Sequence, residues 1–338
     1  MGKYNTIAVI YGSDSSEWEV ACRSGEYVAS RVDDNSYDVY EIFARHGKWS
    51  LVAMRNRNSM RVPFPEGSRP EIDKTDFSVM VYGRKVKFDF AYIMQHGAPG
   101  ETGQIQGYFE ILGVPFSTSS SFVSSVAFDK YACKSYIKDV DFVKFAPDTL
   151  VRKGMDVDAV SSDIVTRLGL PLFVKPTFGG SSFGITKVKN AKDLPDAIRF
   201  AFTEGESVIV EKGVEGREFT CAVYTDAEGV KTLPLIEIVS ENEYFDYDAK
   251  YNGHSQEICP APIDADKTAA IQKTATEIYK RFGFRGLVRC DFIDGADGLY
   301  FLEVNLIPGM TSASLVPKMV RTAGLDITAF LTTIIENC

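Results

Sequence analysis

The stretch LVRCDFIDGADGLYFLEVNLIPGMTS, residues 287–312, decides how the rest of the chain is read. Two strand-like runs flank DGADG, which predicts a hairpin whose turn is centred near Ala296. A turn centred on a residue pairs positions of equal parity. Even positions (Val288, Cys290, Phe292, Tyr300, Leu302 and Val304) then face the core. The odd positions Arg289, Asp291, Glu303 and Asn305 share the other face, with cross-strand neighbours roughly 5–8 Å apart. Two carboxylates and an amide are hard oxygen ligands suited to Mg²⁺, which takes a few protein ligands plus substrate phosphates. A solvated face laced by an Arg–Asp–Glu network would use the same residues. The PGMTS that follows favours the binding reading, because a tight turn presents backbone N–H groups to an anion.

Upstream, VKPTFGGSSFGITKV (174–188) combines Gly179, Gly180 and Gly184 with Ser181 and Ser182, a loop able to wrap phosphates. It is not a Walker A loop, since Ile185 and Thr186 follow Gly184 where Lys and Ser or Thr are required. It also matches G-x-S-x-G, the nucleophile elbow of hydrolases. That elbow needs a helix after the serine, whereas ITKVKN reads as strand and only His254 follows as a base. Lys175 and Glu211 each terminate an apolar run, and Glu218 lies seven residues after Glu211. An acid at a buried strand end can accept from a ribose hydroxyl. Lys130 opens the helix after a Ser-rich connector. Lys250 sits in SENEYFDYDAKYNGHSQ (240–256), a polar, aromatic-rich segment without period that reads as a lid.

The chain has 338 residues, enough for two or three domains. Its first part alternates strand and helix: TIAVIYG (6–12), a helix to about Val32 opened by a Ser16–Glu19 capping box, then YDVYEIFA (37–44) and FDFAYIMQHG (88–97). Such βαβ order predicts a mostly parallel sheet with ligands at the strand ends. Residues 45–87 read as a surface hairpin insertion and STSSSFVSSVAFDK (117–130) as a connector, with a helix over 127–139. Strands at 170–176, 184–190 and 206–214 surround a helix at 193–203. Further strands follow from 217, then helices at 265–282 and 326–336.

A net charge of −9 argues against a nucleic-acid footprint, though local lysine clusters can still bind small phosphate ligands, and no apolar run reaches the roughly 20 residues of a membrane span. MGKYNTIAVIYG lacks a secretory core. It fits a loose myristoylation pattern at Gly2 and Thr6, yet reads better as the first buried strand. Six scattered cysteines without C-x-x-C, and three histidines without H-x-x-x-H, argue against zinc and for a reducing, cytoplasmic setting.

In order along the chain, H-G-x-x-G-E (96–101), Asp129–Lys130, VKPTFGGSSFG, EKGVEGREFT (211–220), DYDAKY (246–251), R-x-D (289–291) and E-x-N-x-x-PGMTS (303–312) resemble the D-alanine–D-alanine ligases of the ATP-grasp superfamily. The resemblance runs from about residue 5 to 320. It implies an α/β chain, α+β in its C-terminal half, with a Rossmann-like domain over 1–119 and ATP-grasp subdomains over 120–215 and 216–338. It also implies that ATP phosphorylates the carboxylate of one D-alanine and the amine of a second attacks the acyl phosphate, supplying a peptidoglycan precursor.

By the same resemblance Glu17 binds the first D-alanine's ammonium, with His96 near it. Ser181 and Tyr251 join Glu17 across the closed site. Lys130, Lys175, Ser181 and Ser182 bind phosphates, and Lys250 reaches the transferred phosphate. Glu211, Lys212, Val214 and Glu218 contact adenine and ribose. Asp291, Glu303 and Asn305 hold two Mg²⁺ or Mn²⁺ ions. Arg289 and the Gly309 N–H stabilise the oxyanion, and Ser314 and Leu315 receive the second substrate's carboxylate. The partners implied are small molecules and a second copy in a homodimer, without nucleic acid or membrane. Thr102, Leu306 and Gly213 depart from the family pattern, as does the length of 45–87. The competing readings are a D-alanyl-D-lactate or D-alanyl-D-serine ligase, another ATP-grasp carboxylate–amine ligase, and a nucleotide sensor without activity. The presence of Lys250, Asp291, Glu303 and Asn305 disfavours the sensor.

Overall fold

The computed structural model describes residues 2–180, 183–240 and 255–338. Ser181, Ser182, Lys250, Tyr251 and His254, with most of the expected lid, lie outside the described residues.

The first sheet contains β1 (Thr6–Tyr11), β2 (Asp38–Arg45), β3 (Lys48–Arg55), β4 (Val62–Pro63) and, after a separate three-stranded sheet of β5 (Ile72–Asp73), β6 (Ser78–Val81) and β7 (Arg84–Lys87), β8 (Phe90–Met94). Its order is β4-β3-β2-β1-β8, with β1 parallel to both β2 and β8. Residues 45–87 are therefore only partly the surface hairpin insertion that the sequence suggests. Lys48–Arg55 joins the main sheet antiparallel to β2, because Leu51 and Ala53 are fully buried there. Helix α1 (Trp18–Arg31) lies directly on β1, and Gly25 is what permits it: a Cβ at that position would meet Tyr11 at 2.3 Å. The Ser16 capping box does not form. Glu17 is the N-cap without a side-chain cap bond, and Ser15 takes the corner, accepting the Glu17 N–H at 3.2 Å and donating to the His96 carbonyl at 2.8 Å.

After α2 (Gln104–Leu112), the Ser-rich connector is itself a helix, α3 (Ser121–Phe128), capped by Ser120 and followed by α4 (Lys130–Ile137), which Asp129 caps through Ala132 N–H at 2.7 Å. The serines there supply caps and buried contacts, which composition alone disguises as a loop. A second sheet, all antiparallel in the order β11-β10-β12-β9, joins β9 (Asp148–Arg152), β10 (Leu172–Pro176), β11 (Thr186–Val188) and β12 (Ser207–Lys212). Helices α5 (Val157–Leu168) and α6 (Leu194–Ala201) cover it and enclose a separate core around Val174 and Ile198. Because strand β11 and no helix follows residues 180–184, the hydrolase elbow is not built.

The third sheet runs β16-β15-β13-β17-β18, with β14 on β13. Its members are β13 (Gly216–Asp226), β14 (Gly229–Thr232), β15 (Ile236–Ser240), β16 (Ser255–Ile258), β17 (Val288–Gly295) and β18 (Gly298–Asn305). Helices α7 (Ala265–Phe282), α8 (Leu315–Thr322) and α9 (Ile327–Glu336) complete it. One continuous apolar core serves the first and third sheets together. Among the described residues no helix is long and apolar enough to cross a membrane.

Candidate active site

The β17–β18 hairpin closes through Gly295 opposite Gly298, so its loop is Ala296–Asp297 and its centre falls between residues. Equal-parity pairing therefore fails near the turn: Ile293 faces Tyr300 and Phe292 faces Phe301. A bulge then shifts the register, and beyond it Asp291 pairs with Glu303 and Arg289 with Asn305. The extra residue is Leu302. The four polar residues meet on one face as expected, but the expected core face is corrected. Phe301 is buried at 2% exposure, while Tyr300 and Leu302 turn toward clefts instead.

Two clefts meet at this hairpin. The larger, about 940 Å³, brings together Glu17, His96, Lys130, Arg289, Glu303, Asn305, Gly309, Ser314 and Leu315, which come from the N-terminal half, the start of α4 and the β17–β18 hairpin with the turn after it. The smaller, about 390 Å³, gathers Lys175, Glu211, Lys212, Val214, Glu218, Asp291 and Glu303. Glu303 lines both. Sequence reading missed Phe173, Ile185, Tyr300 and Leu302, which supply apolar walls to the smaller cleft, and Glu257, whose carboxyl lines the larger one. Burial pushes the Glu257 carboxyl up, partly opposed by Lys318 at 3.6 Å.

Asp291 is buried and accepts four bonds. Arg289 holds both its oxygens at 3.0 Å, Thr220 donates at 2.5 Å and Asn305 Nδ2 at 2.8 Å. Since Asn305 donates through its amide nitrogen, its carbonyl oxygen is the atom left for a cation. Glu303 is a third exposed and lies 3.5 Å from Lys130, whose ammonium also donates to the Gly179 carbonyl at 2.8 Å. This donor set, two carboxylates and an amide oxygen, fits a hard divalent ion that completes its shell with phosphate or water. Among the described residues, no three His, Cys, Asp or Glu side chains form a self-sufficient metal cluster.

On the floor of the smaller cleft Glu211 is held on one oxygen by Lys175 and on the other by Lys134, each at 2.6 Å. Burial alone would raise its pKa, but Lys175 and then Lys134 more than offset that and bring it down to about 2. Lys134 also pairs with Asp148 at 2.6 Å and donates to the Ala146 carbonyl at 2.9 Å. The N–H groups of Lys212 and Gly213 are spent on the Pro147 and Pro171 carbonyls. Lys212 Nζ is likewise spent, on Leu170 O at 2.6 Å.

At the opposite end, a Cβ on Gly180 would come within 2.4 Å of Glu17, so the glycine lets the 174–180 loop close over that carboxylate. His96 lines the cleft, yet both its ring nitrogens are engaged inside the protein, with Ile307 O at 2.8 Å and Ser24 Oγ at 3.1 Å. Burial holds its pKa below the ordinary imidazole value.

Against known proteins, residues 6–119 match the family model for the D-ala D-ala ligase N-terminus and residues 135–336 that for the C-terminus. A D-alanine–D-alanine ligase of Phocaeicola vulgatus is 41% identical over 333 residues, 98% of each chain. One from Parabacteroides distasonis is 43% identical over 332 residues, 98% of this chain and 96% of that one. Among solved structures, the VanG D-Ala:D-Ser ligase of Enterococcus faecalis superposes with a TM-score of 0.83 at 30% identity, covering 98% of this chain and 99% of its own.

Proposed function

This chain belongs to the D-alanine–D-alanine ligase family, and from that premise we infer that it is an ATP-dependent ligase joining two D-alanines through an acyl phosphate, for peptidoglycan precursor synthesis. The observation that carries the assignment of roles is the convergence of Arg289, Asp291, Glu303 and Asn305 where the two clefts meet.

In this reading the smaller cleft takes ATP. Glu211, the Lys212 carbonyl and Val214 meet the adenine edge, Phe173 and Leu302 cover its faces, and Glu218 accepts from the ribose. Lys175 and Lys130 turn to the phosphates, and Lys134 keeps Glu211 compensated when Lys175 leaves it. Asp291, Glu303 and the Asn305 amide oxygen hold two Mg²⁺ or Mn²⁺ ions, which when bound neutralise charge on the transferred phosphoryl group. In the larger cleft Glu17 anchors the first ammonium, while Ser314 and Leu315 receive the second carboxylate. Arg289 and the Gly309 N–H face the oxyanion that develops when the second amine attacks. Lys250, Tyr251, Ser181 and Ser182 complete the phosphate and first-substrate contacts. The three-domain division at 119 and 215, a homodimer and a cytoplasmic location belong to the same reading.

The likeness to a D-Ala:D-Ser ligase keeps D-serine as the competing acceptor. The test is to offer the purified protein ATP, Mg²⁺ and D-alanine, D-serine or D-lactate in turn, following ADP and products by mass. One ADP per D-alanyl-D-alanine, with the dipeptide dominant in competition, is expected. A dominant D-alanyl-D-serine product would transfer the assignment to that acceptor. ATP turnover without any condensed product would overturn it.

A further inference from the structure

Gly309 sits in the turn Leu306–Met310, whose other amides are all accounted for. Glu101 accepts the Leu306 and Ile307 N–H groups at 3.1 and 3.0 Å, and Ser24 Oγ accepts that of Met310 at 3.2 Å. Pro308 has no N–H, and the Gly309 N–H donates to no group among the described residues. The turn is thus built to offer a single donor.

The three residues that hold it come from the first sheet's half of the chain, and all are buried. A carbonyl only accepts, so the 2.8 Å contact with Ile307 O puts the proton on His96 Nδ1. A neutral ring then accepts the Ser24 hydroxyl proton at Nε2 over 3.1 Å. The result is a closed circuit: Met310 N–H to Ser24, Ser24 O–H to His96, His96 N–H to the Ile307 carbonyl. It clamps the turn on both sides of Gly309. Glu101 extends the clamp, since its other oxygen accepts the Gly97 N–H beside His96 at 2.8 Å.

Resting on the ligase reading, we propose that Ser24 is a positioning residue that, through His96 and the Met310 amide, aims the Gly309 N–H at the oxyanion of the tetrahedral intermediate, with Glu101 fixing the other end of the turn. His96 then acts through the turn rather than on substrate. A donor aimed in advance stabilises charge only as it develops, so its loss falls on turnover more than on ground-state binding.

The test is steady-state kinetics of Ser24→Ala and Ser24→Thr, with inhibition by a phosphinate dipeptide that mimics the tetrahedral adduct. Ser24→Ala should lose about ten- to a hundredfold in kcat and a similar factor in phosphinate affinity, while KM for ATP stays within about twofold. Ser24→Thr, which keeps the hydroxyl, should recover most of the loss. Glu101→Gln should give the same split, and the double variant should lose less than the product of the two, because both loosen one turn. Unchanged kcat in Ser24→Ala, a loss matched by KM for ATP, or losses that multiply would overturn the proposal. Absence of dipeptide from the unaltered protein would instead overturn the ligase reading.

Discussion

Lys175 reaches diagonally from β10 to β12 and pairs with Glu211 at 2.6 Å, while Lys134 grips the other oxygen of the same carboxylate. Removing the anion takes the close partner from the buried Lys175 ammonium and leaves Lys134 to Asp148 and the Ala146 carbonyl, a change that costs about 3–5 kcal/mol. Glu211 ionises near 2 in the folded chain against an ordinary 4.5. Its stabilisation is therefore complete above the ordinary value and fades as pH falls through the folded one. Urea unfolding of Glu211→Gln should show its full deficit at neutral pH, narrowing between about pH 4.5 and 2. A deficit independent of pH would mean that charge is not its source.

Glu303→Gln should lower turnover by at least about a hundredfold without changing the thermal midpoint. The side chain is a third exposed, so the fold does not depend on it, but it lines both clefts and, in the proposed reading, carries the charge that would face the phosphates. Near-normal turnover in saturating Mg²⁺ would remove Glu303 from the metal site.

Leu302 exists as a cleft residue only because of the bulge. Leu302→Ala should raise KM for ATP about tenfold, the equivalent of about 1.4 kcal/mol of lost apolar contact, and leave KM for D-alanine alone. Equal effects on both substrates would place Leu302 outside the adenine wall.

Gly180→Ala should push Glu17 aside, because the new methyl lands 2.4 Å from its carboxylate. The Glu17 carboxylate is the flexible end of a side chain, so the fold absorbs the change while the proposed ammonium anchor moves. KM for D-alanine should rise severalfold with KM for ATP and thermal stability unchanged. Loss of ATP binding instead would show that the loop, not Glu17, responds.

The hairpin explains how much of this was legible in sequence. Local polarity marked Arg289, Asp291, Glu303 and Asn305 as one face, and the pairing of Asp291 with Glu303 agrees. The turn is centred half a residue later than periodicity places it, between Ala296 and Asp297. The bulge at Leu302 restored the polar face while sending Phe301 inward. A bulge leaves no mark in periodicity, so Leu302 and Tyr300 were read as core. The Ser-rich stretch hid α3 for a related reason: serine competes with helix locally, and only tertiary burial of Ser124 and Ala127 decides the outcome. Glu257 had no legible signal, since it lies in a polar run and faces the cleft through β16.

In the proposed route, a carboxylate oxygen of one D-alanine leaves the enzyme as part of the phosphate. The measurement is condensation with D-alanine labelled with ¹⁸O at both carboxylate oxygens, followed by mass analysis of the inorganic phosphate. Each phosphate released should carry one ¹⁸O, with the remaining label in the dipeptide. Unlabelled phosphate accompanying full yield of D-alanyl-D-alanine would contradict it.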